Sequence, residues 1–176
     1  MVDLIHCMIG EYRWLSNFHE CLVWYDGLWY PSSEAAYQAQ KTLDEGQREA
    51  FTTMTPKEAK KAGMKVKLRG DWDDIKIDVM DKCLRSKFSK EINPNLVSSL
   101  LGTGKAEIEE GNWWKDSFWG IAYGNRDDCI TGVNRIGGRN ELGKLLMTIR
   151  WALRNTVTTD DLVKVINEEV CRKQEP

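Results

Sequence analysis

The chain has 176 residues, 41% hydrophobic and 30% charged, with a formal net charge of −2. That length suits one domain with a single core, and that composition excludes a disordered chain. The charge gives no overall drive toward nucleic acid or an anionic membrane, and no segment is long and apolar enough to span a bilayer.

Leu4 to Ile9 reads as a strand, and the start of the chain lacks the basic residues, long apolar run and small-residue cleavage site of a signal peptide. Cys21 to Tyr25 and Leu28 to Tyr30 form a predicted hairpin turned at Asp26-Gly27. A helix is expected from Ser33 to Asp44, opened by serines that can accept hydrogen bonds from free backbone N–H groups. At about 100° per residue, Glu34, Gln38 and Lys41 share one side of it with Tyr37 beside them. Ala35, Ala36, Ala39 and Leu43 fall on the other side, where small side chains allow close packing. The polar column is either solvated helix surface or the floor of a pocket.

Thr55-Pro56-Lys57-Glu58 is a capping box with proline at the first helical position, and Gly63 closes that helix. Lys57, Lys60, Lys61, Lys65, Lys67 and Arg69 form a basic run, read either as a solvated helix face and strand or as a phosphate-facing rim. Trp72 to Phe88 carries Ile75, Val79, Met80, Cys83, Leu84 and Phe88 on one helical face. Asn93-Pro94 starts a further helix that ends at Leu101-Gly102. Residues 105–135 are rich in Gly, Asn and Trp and read as loops with short extended pieces. Gly137-Gly138 running into Asn140 is either a turn and helix cap or an anion-holding loop. Asn140 to Arg154 is an amphipathic helix, and Thr159-Asp160 caps a last one reaching about Cys171. The whole reads as a mainly helical α+β single domain over 1–176, with a small N-terminal β component.

Five scattered cysteines without C-x-x-C spacing read as reduced thiols, which suits a cytoplasmic protein. The two histidines, His6 and His19, sit in no metal-ligand cluster, and no nucleophile elbow accompanies them. Neither a metal nor another cofactor is therefore expected. Eight tryptophans are the oddity of the composition. Most tryptophans pack in cores, but their faces also hold flat heteroaromatic rings.

Several motifs then occur in a fixed order. They are Ser16-Asn17-Phe18, Trp29-Tyr30-Pro31-Ser32-Ser33-Glu34, Tyr37-Gln38-Ala39-Gln40-Lys41, Arg69 with Trp72, and Lys87-Phe88. Leu100-Leu101-Gly102-Thr103-Gly104, Glu110-Gly111-Asn112, Asp116 with Trp119-Gly120, and Asn140-Glu141-Leu142-Gly143-Lys144 follow. Over about residues 10–154 this series resembles the NADAR superfamily, whose YbiA-like members are N-glycosidases; the last helix lies outside the match.

The resemblance implies a mainly helical fold and hydrolysis of a C–N glycosidic bond on a ribose. Substrates of the family include phosphoribosylamino-pyrimidine intermediates of riboflavin synthesis and ADP-ribose conjugates, including ADP-ribosylated guanine in DNA. A nucleotide or an ADP-ribose-type molecule, free or on nucleic acid, is thus the expected partner. Loss of a base from ribose builds an oxocarbenium-like centre, which calls for a carboxylate near C1′ and a proton or hydrogen bond at the leaving group.

The family pattern points to Glu34 as the first carboxylate and Asp116, in D-x-x-W-G, as the second, with a turn or cap as the structural alternative for Asp116. It points to Trp72, Trp114 and Trp119 for stacking on the base, and to Lys41, Arg69 and Asn140 for phosphate or ribose contacts. Asn17, Phe18, Gln38 and Gly120 complete the expected substrate-binding set. On its residues alone, Arg69 reads as a surface ion-pair residue. Two departures stand out: Ala35 follows the motif Glu where relatives often have His, and Ile121 to Ile136 is longer than in compact members. The competing reading is a non-catalytic module that binds ADP-ribose or a nucleotide.

Overall fold

The computed structural model describes residues 3–155. The helix expected beyond Thr159 lies outside them.

The helix α1, Ser33–Ala39, is the centre of the fold, and every one of its residues is buried. Ser32 Oγ caps it by accepting the Ala35 N–H at 3.0 Å. The helix is shorter than its sequence suggests. It closes at Gln40, so Leu43 does not continue the alanine face but stands 65% exposed. Ala35, Ala36 and Ala39 are fully enclosed, and their small size lets α3 (Pro56–Gly63) and α4 (Trp72–Lys87) come close.

The hairpin β2 (Glu20–Tyr25) and β3 (Leu28–Ser32) leads directly into α1. Asp26 and Gly27 both have positive φ, 48° and 84°, as a tight hairpin turn requires. The capping box forms as the sequence dictates: Glu58 N–H donates to Thr55 Oγ1 and Thr55 N–H to Glu58 Oε2. A short helix α2, Glu45–Ala50, not expected from the sequence, lies between α1 and α3. Of the expected N-terminal strand only β1, Leu4–Ile5, forms, and Gly10–Leu15 is a 3-10 helix. The stretch after α3 that reads as a basic strand is a loop.

Helix α5, Pro94–Gly102, precedes β4, Glu107–Ile108, which pairs in parallel with β1. Strands β5 (Gly111–Asn112), β6 (Ile121–Tyr123) and β7 (Arg135–Gly137) form a second small sheet, with α6 (Arg126–Thr131) between β6 and β7. The β component therefore extends past the N-terminal half. The long stretch Ile121 to Ile136 is folded into this sheet through β6, α6 and β7. Helix α7, Glu141–Asn155, buries Leu142, Leu146 and Ile149 against the α1–α4 core. No described helix is long and apolar enough to cross a membrane.

Candidate active site

The polar column of α1 faces a cavity rather than solvent. Glu34, Tyr37, Gln38 and Lys41 all line a cavity of about 460 Å³. Gln38 Nε2 donates to Glu34 Oε1 at 2.9 Å. Burial raises the Glu34 pKa above the ordinary carboxylate range, opposed by that hydrogen bond and by the Lys60 and Lys41 charges. Burial likewise lowers the Lys41 pKa, against the pull of Glu34.

A second wall comes from the loop before β2, which carries Ser16, Asn17 and Phe18. Asn17 C=O accepts the Glu34 N–H at 3.1 Å, stitching the loop to the start of α1. Lys87, fully buried on α4, donates from Nζ to the carbonyls of Leu15 and Ser16 at 3.2 and 2.7 Å. Its burial pushes its pKa down to about 8. The Lys87-Phe88 motif is thus explained as an anchor for this loop.

The third wall is the segment from Glu110 to Trp119. Glu110 has a carboxylate oxygen, Oε2, that is buried without a hydrogen-bond partner. Burial pushes the Glu110 pKa up to about 7, reinforced by the negative charges of Asp116 and Glu34 and opposed by Lys87 and Lys60. Asn112 folds the segment back on itself, donating to Asp116 C=O and Ile121 C=O and accepting the Asp116 N–H. Asp116 lines the cavity, while its Oδ1 accepts the N–H groups of Phe118 and Trp119 at 3.0 and 2.9 Å. It is both a turn-forming residue and part of the wall.

Aromatic rings and one lysine frame the mouth. Lys60 Nζ stands 5.4 Å from the Phe18 ring centre and 5.9 Å from that of Trp114. Trp113 and Trp114 pack edge to face, 5.0 Å between centres. Trp119 lines the inner part and meets Tyr37 edge-on at 5.6 Å. Of the basic run, Lys60 lines the cavity, whereas Lys57, Lys61, Lys65 and Lys67 stand exposed.

The cavity thus brings together Asn17, Phe18, Glu34, Gln38, Lys41, Trp114, Asp116 and Trp119 of the expected set. It does not include Arg69, Trp72, Gly120 or Asn140. Arg69 forms a two-bond ion pair with Asp71, from Nε at 2.6 Å and Nη2 at 2.9 Å. Trp72 lies behind Tyr37, ring centres 5.1 Å apart, and is 6% exposed. Gly120 is covered by the Glu110 carbonyl.

Asn140 is a buried staple: Oδ1 accepts the Glu110 N–H at 3.0 Å and Nδ2 donates to Ile108 C=O at 2.8 Å. The anion-loop reading of Gly137 to Asn140 also gives way. The N–H groups of Arg139, Asn140, Glu141 and Leu142 donate to the carbonyls of Ser117, Gly120, Phe118 and Trp119. None of these four donors is left for a phosphate.

Glu110, Lys60 and Trp113 line the cavity without having been singled out as site residues. The signal for Glu110 was its place in the Glu110-Gly111-Asn112 motif. His6 and His19 are absent from the lining. Among the described residues, no group of three or more His, Cys, Asp or Glu is placed to hold a metal ion.

The sequence of residues 8–154 matches the model of the NADAR domain family. The chain is 35% identical to the N-glycosidase YbiA of Escherichia coli over 143 residues, covering 80% of this chain and 81% of that protein. It is 32% identical to an N-glycosidase of Nostoc punctiforme over 155 residues, 84% and 89% of the two chains. A riboflavin biosynthesis protein of Vibrio vulnificus is 35% identical over 152 residues, 82% of this chain but 36% of that longer protein. The NMR structure of E. coli YbiA superposes with a TM-score of 0.70 at 32% identity, covering 88% of this chain and 87% of that one.

Proposed function

We propose that this chain, which belongs to the NADAR domain family and is an N-glycosidase, cleaves the bond between ribose C1′ and a base nitrogen in a nucleotide substrate. The observation that carries this reading is the meeting of Glu34 and Glu110 in one cavity, each with its proton affinity raised by burial. Their environments differ in a useful way. Glu34 accepts from Gln38 and has Lys41 and Lys60 to favour its ionised form. Glu110 faces the charges of Asp116 and Glu34, which favour its protonated form.

In this reading Glu110 gives its proton to the leaving nitrogen as the C1′–N bond breaks and its electron pair goes to the base. The ionised Glu34 stabilises the positive charge that develops at C1′ and O4′. Water then attacks C1′, and its proton returns to the Glu110 carboxylate, which restores the starting state. Asp116 orders the turn that carries Trp119 and keeps Glu110 protonated through like charge. Trp114, Trp119 and Phe18 offer ring faces to the base, and Lys60 and Lys41 offer positive charge to a phosphate.

The family resemblance puts forward a phosphoribosylamino-pyrimidine of riboflavin synthesis or an ADP-ribose conjugate such as ADP-ribosylated guanine, and the rings and lysines of the wall suit the base and phosphate of either. The test incubates the protein with both, with NAD and with ADP-ribosylated DNA, and follows release of free base by mass spectrometry. Release of base by the wild type and its loss in Glu34→Ala is the expected result. Full turnover by Glu34→Ala would overturn the role of Glu34. Tight ADP-ribose binding with no turnover of any of these substrates would instead favour the binding-module reading.

A further inference from the structure

We infer that Gly63, at the end of α3, is a positioning residue for Glu34 that acts through the Gln38 carboxamide. The inference rests on the role of Glu34 proposed above.

Gln38 Oε1 is buried and has no hydrogen-bond donor. It lies against Gly63: a Cβ built there would overlap Oε1 and stand 2.7 Å from the Gln38 Cδ. The orientation of the carboxamide follows from this pair of neighbours. Its Nε2 must face the Glu34 carboxylate, because the reverse orientation would set two acceptors against each other. Oε1 must then turn toward α3, where only a residue without a side chain leaves room. Glycine at 63 thus selects the one rotamer of Gln38 that clamps Glu34 Oε1.

The backbone itself does not require glycine. Gly63 is helical and is not among the glycines with positive φ. Alanine is the better helix former, so a glycine kept for the helix alone would gain from replacement. Two of the three close atoms, Oε1 and Cδ, are the far end of a flexible side chain and can swing aside, while the third, Gln38 Cβ at 3.0 Å, is fixed by α1 and requires the two helices to give slightly. What is lost is the hydrogen bond that lowers the Glu34 pKa and fixes the direction of its carboxylate.

The test is Gly63→Ala, measured with any substrate found to be cleaved. Expected are a fall in kcat on the order of a hundred-fold, a KM close to wild type with only a modest fall in melting temperature, and an acid limb of the kcat profile moved to higher pH. A carboxyl-carbon NMR titration of Glu34 reads the same upward shift without substrate. In a Gln38→Ala background, Gly63→Ala is expected to add no further loss. Wild-type kcat and an unmoved Glu34 titration in Gly63→Ala would overturn the inference, while inactivity of Glu34→Ala would leave the function standing. Full activity of Glu34→Ala would overturn the proposed role of Glu34 and not bear on the titration. Should Gly63→Ala not fold, recovery of folding in Gly63→Ala/Gln38→Ala, with a kcat loss in Gln38→Ala, supports the steric link. Failure of the double variant to fold makes Gly63 a structural residue and overturns it.

Discussion

Glu109 and Glu110 are adjacent in sequence and live in opposite environments. Glu109 is buried and fully paired, accepting from the Tyr123 hydroxyl and from Arg135 Nε at 3.0 Å. Glu110 turns the other way, lines the cavity and leaves Oε2 unpaired. One carboxylate ties β7 to the end of β4, and its neighbour keeps an oxygen without a hydrogen-bond partner. On this short link between β4 and β5 the two backbone N–H groups have different partners, Glu109 donating to Ile5 C=O and Glu110 to Asn140 Oδ1.

The pH profile follows from this arrangement. In the proposed mechanism Glu34 acts ionised, and its raised pKa puts the acid limb above the ordinary carboxylate range. In the same mechanism Glu110 acts protonated, and its pKa, pushed up to about 7, sets the alkaline limb there. Activity is therefore expected to be bell-shaped, with apparent pKa values that belong to the interacting pair. Glu110→Gln cannot supply the proton. It is expected to lose roughly 10²–10⁴-fold in kcat and to show no fall near pH 7. Stability shifts in the same window. The native Glu110 keeps a proton up to about 7 that the unfolded chain releases near 4.5, so stability falls as pH rises through that range. Urea unfolding of the wild type and Glu110→Gln at several pH values reads this slope directly.

Lys60 couples the two limbs. Its charge lowers the pKa of both Glu34 and Glu110, whereas Lys41 is a cause only of the Glu34 shift. Lys60→Ala is expected to move both limbs to higher pH together, and Lys41→Ala to move the acid limb first. Lys60 is also held between Phe18 and Trp114, so its loss loosens the mouth and raises KM. Because Lys60 is exposed, the melting temperature is expected to stay near wild type. Steady-state kinetics across pH, with a thermal melt of each variant, check all three statements.

Some of this was legible in the residues and some was not. Helix α3 was, because a capping box, a proline at its start and a terminal glycine are all local signals. So was the polar face of α1, since helical spacing places Glu34 and Gln38 one turn apart. Its length was not: helix propensity continues through Leu43, and the turn after Ala39 is set by tertiary packing. Strands of two or three residues, such as β5 and β6, are too short for a period to register. Asn140 reads locally as a cap or an anion ligand, but its partners are Glu110, 30 residues away, and Ile108. Arg69 satisfied the family pattern, while its pairing with Asp71, two residues on, is what the bare sequence suggests.

Lys87 tests the support of the loop that carries Asn17 and Phe18. Lys87→Met keeps much of the bulk and removes the side-chain donor of the Leu15 and Ser16 carbonyls, the second of which still accepts the His19 N–H. A loss of about 1–3 kcal/mol in unfolding free energy is expected, with a raised KM as the loop relaxes. The sign of the pH dependence distinguishes this amine. Its pKa falls from 10.5 to about 8 on folding, so between those values the unfolded chain holds a proton that the native protein has released. Wild-type stability relative to Lys87→Met therefore grows as pH rises from 8 toward 10.5. Urea unfolding of the two proteins at pH 7 and pH 10 would show no change in their difference if the amine were not buried.

Trp72 and Trp114 separate packing from ligand stacking. Trp72 is 6% exposed and rests on Tyr37, whereas Trp114 is 52% exposed at the cavity mouth. Trp72→Ala removes a large buried ring and is expected to cost about 3–5 kcal/mol of stability. Trp114→Ala is expected to change stability by no more than about 0.5 kcal/mol. If the base stacks on Trp114, the same change weakens substrate binding by about 1–3 kcal/mol, which is roughly 5- to 150-fold in KM. Unfolding curves and steady-state kinetics on both variants read the two effects separately. A Trp114→Ala protein with wild-type KM would place the base on Trp119 or Phe18 instead, deeper or on the opposite rim. A large KM change in Trp72→Ala without loss of stability would mean that Tyr37, released from its partner, is what positions the substrate.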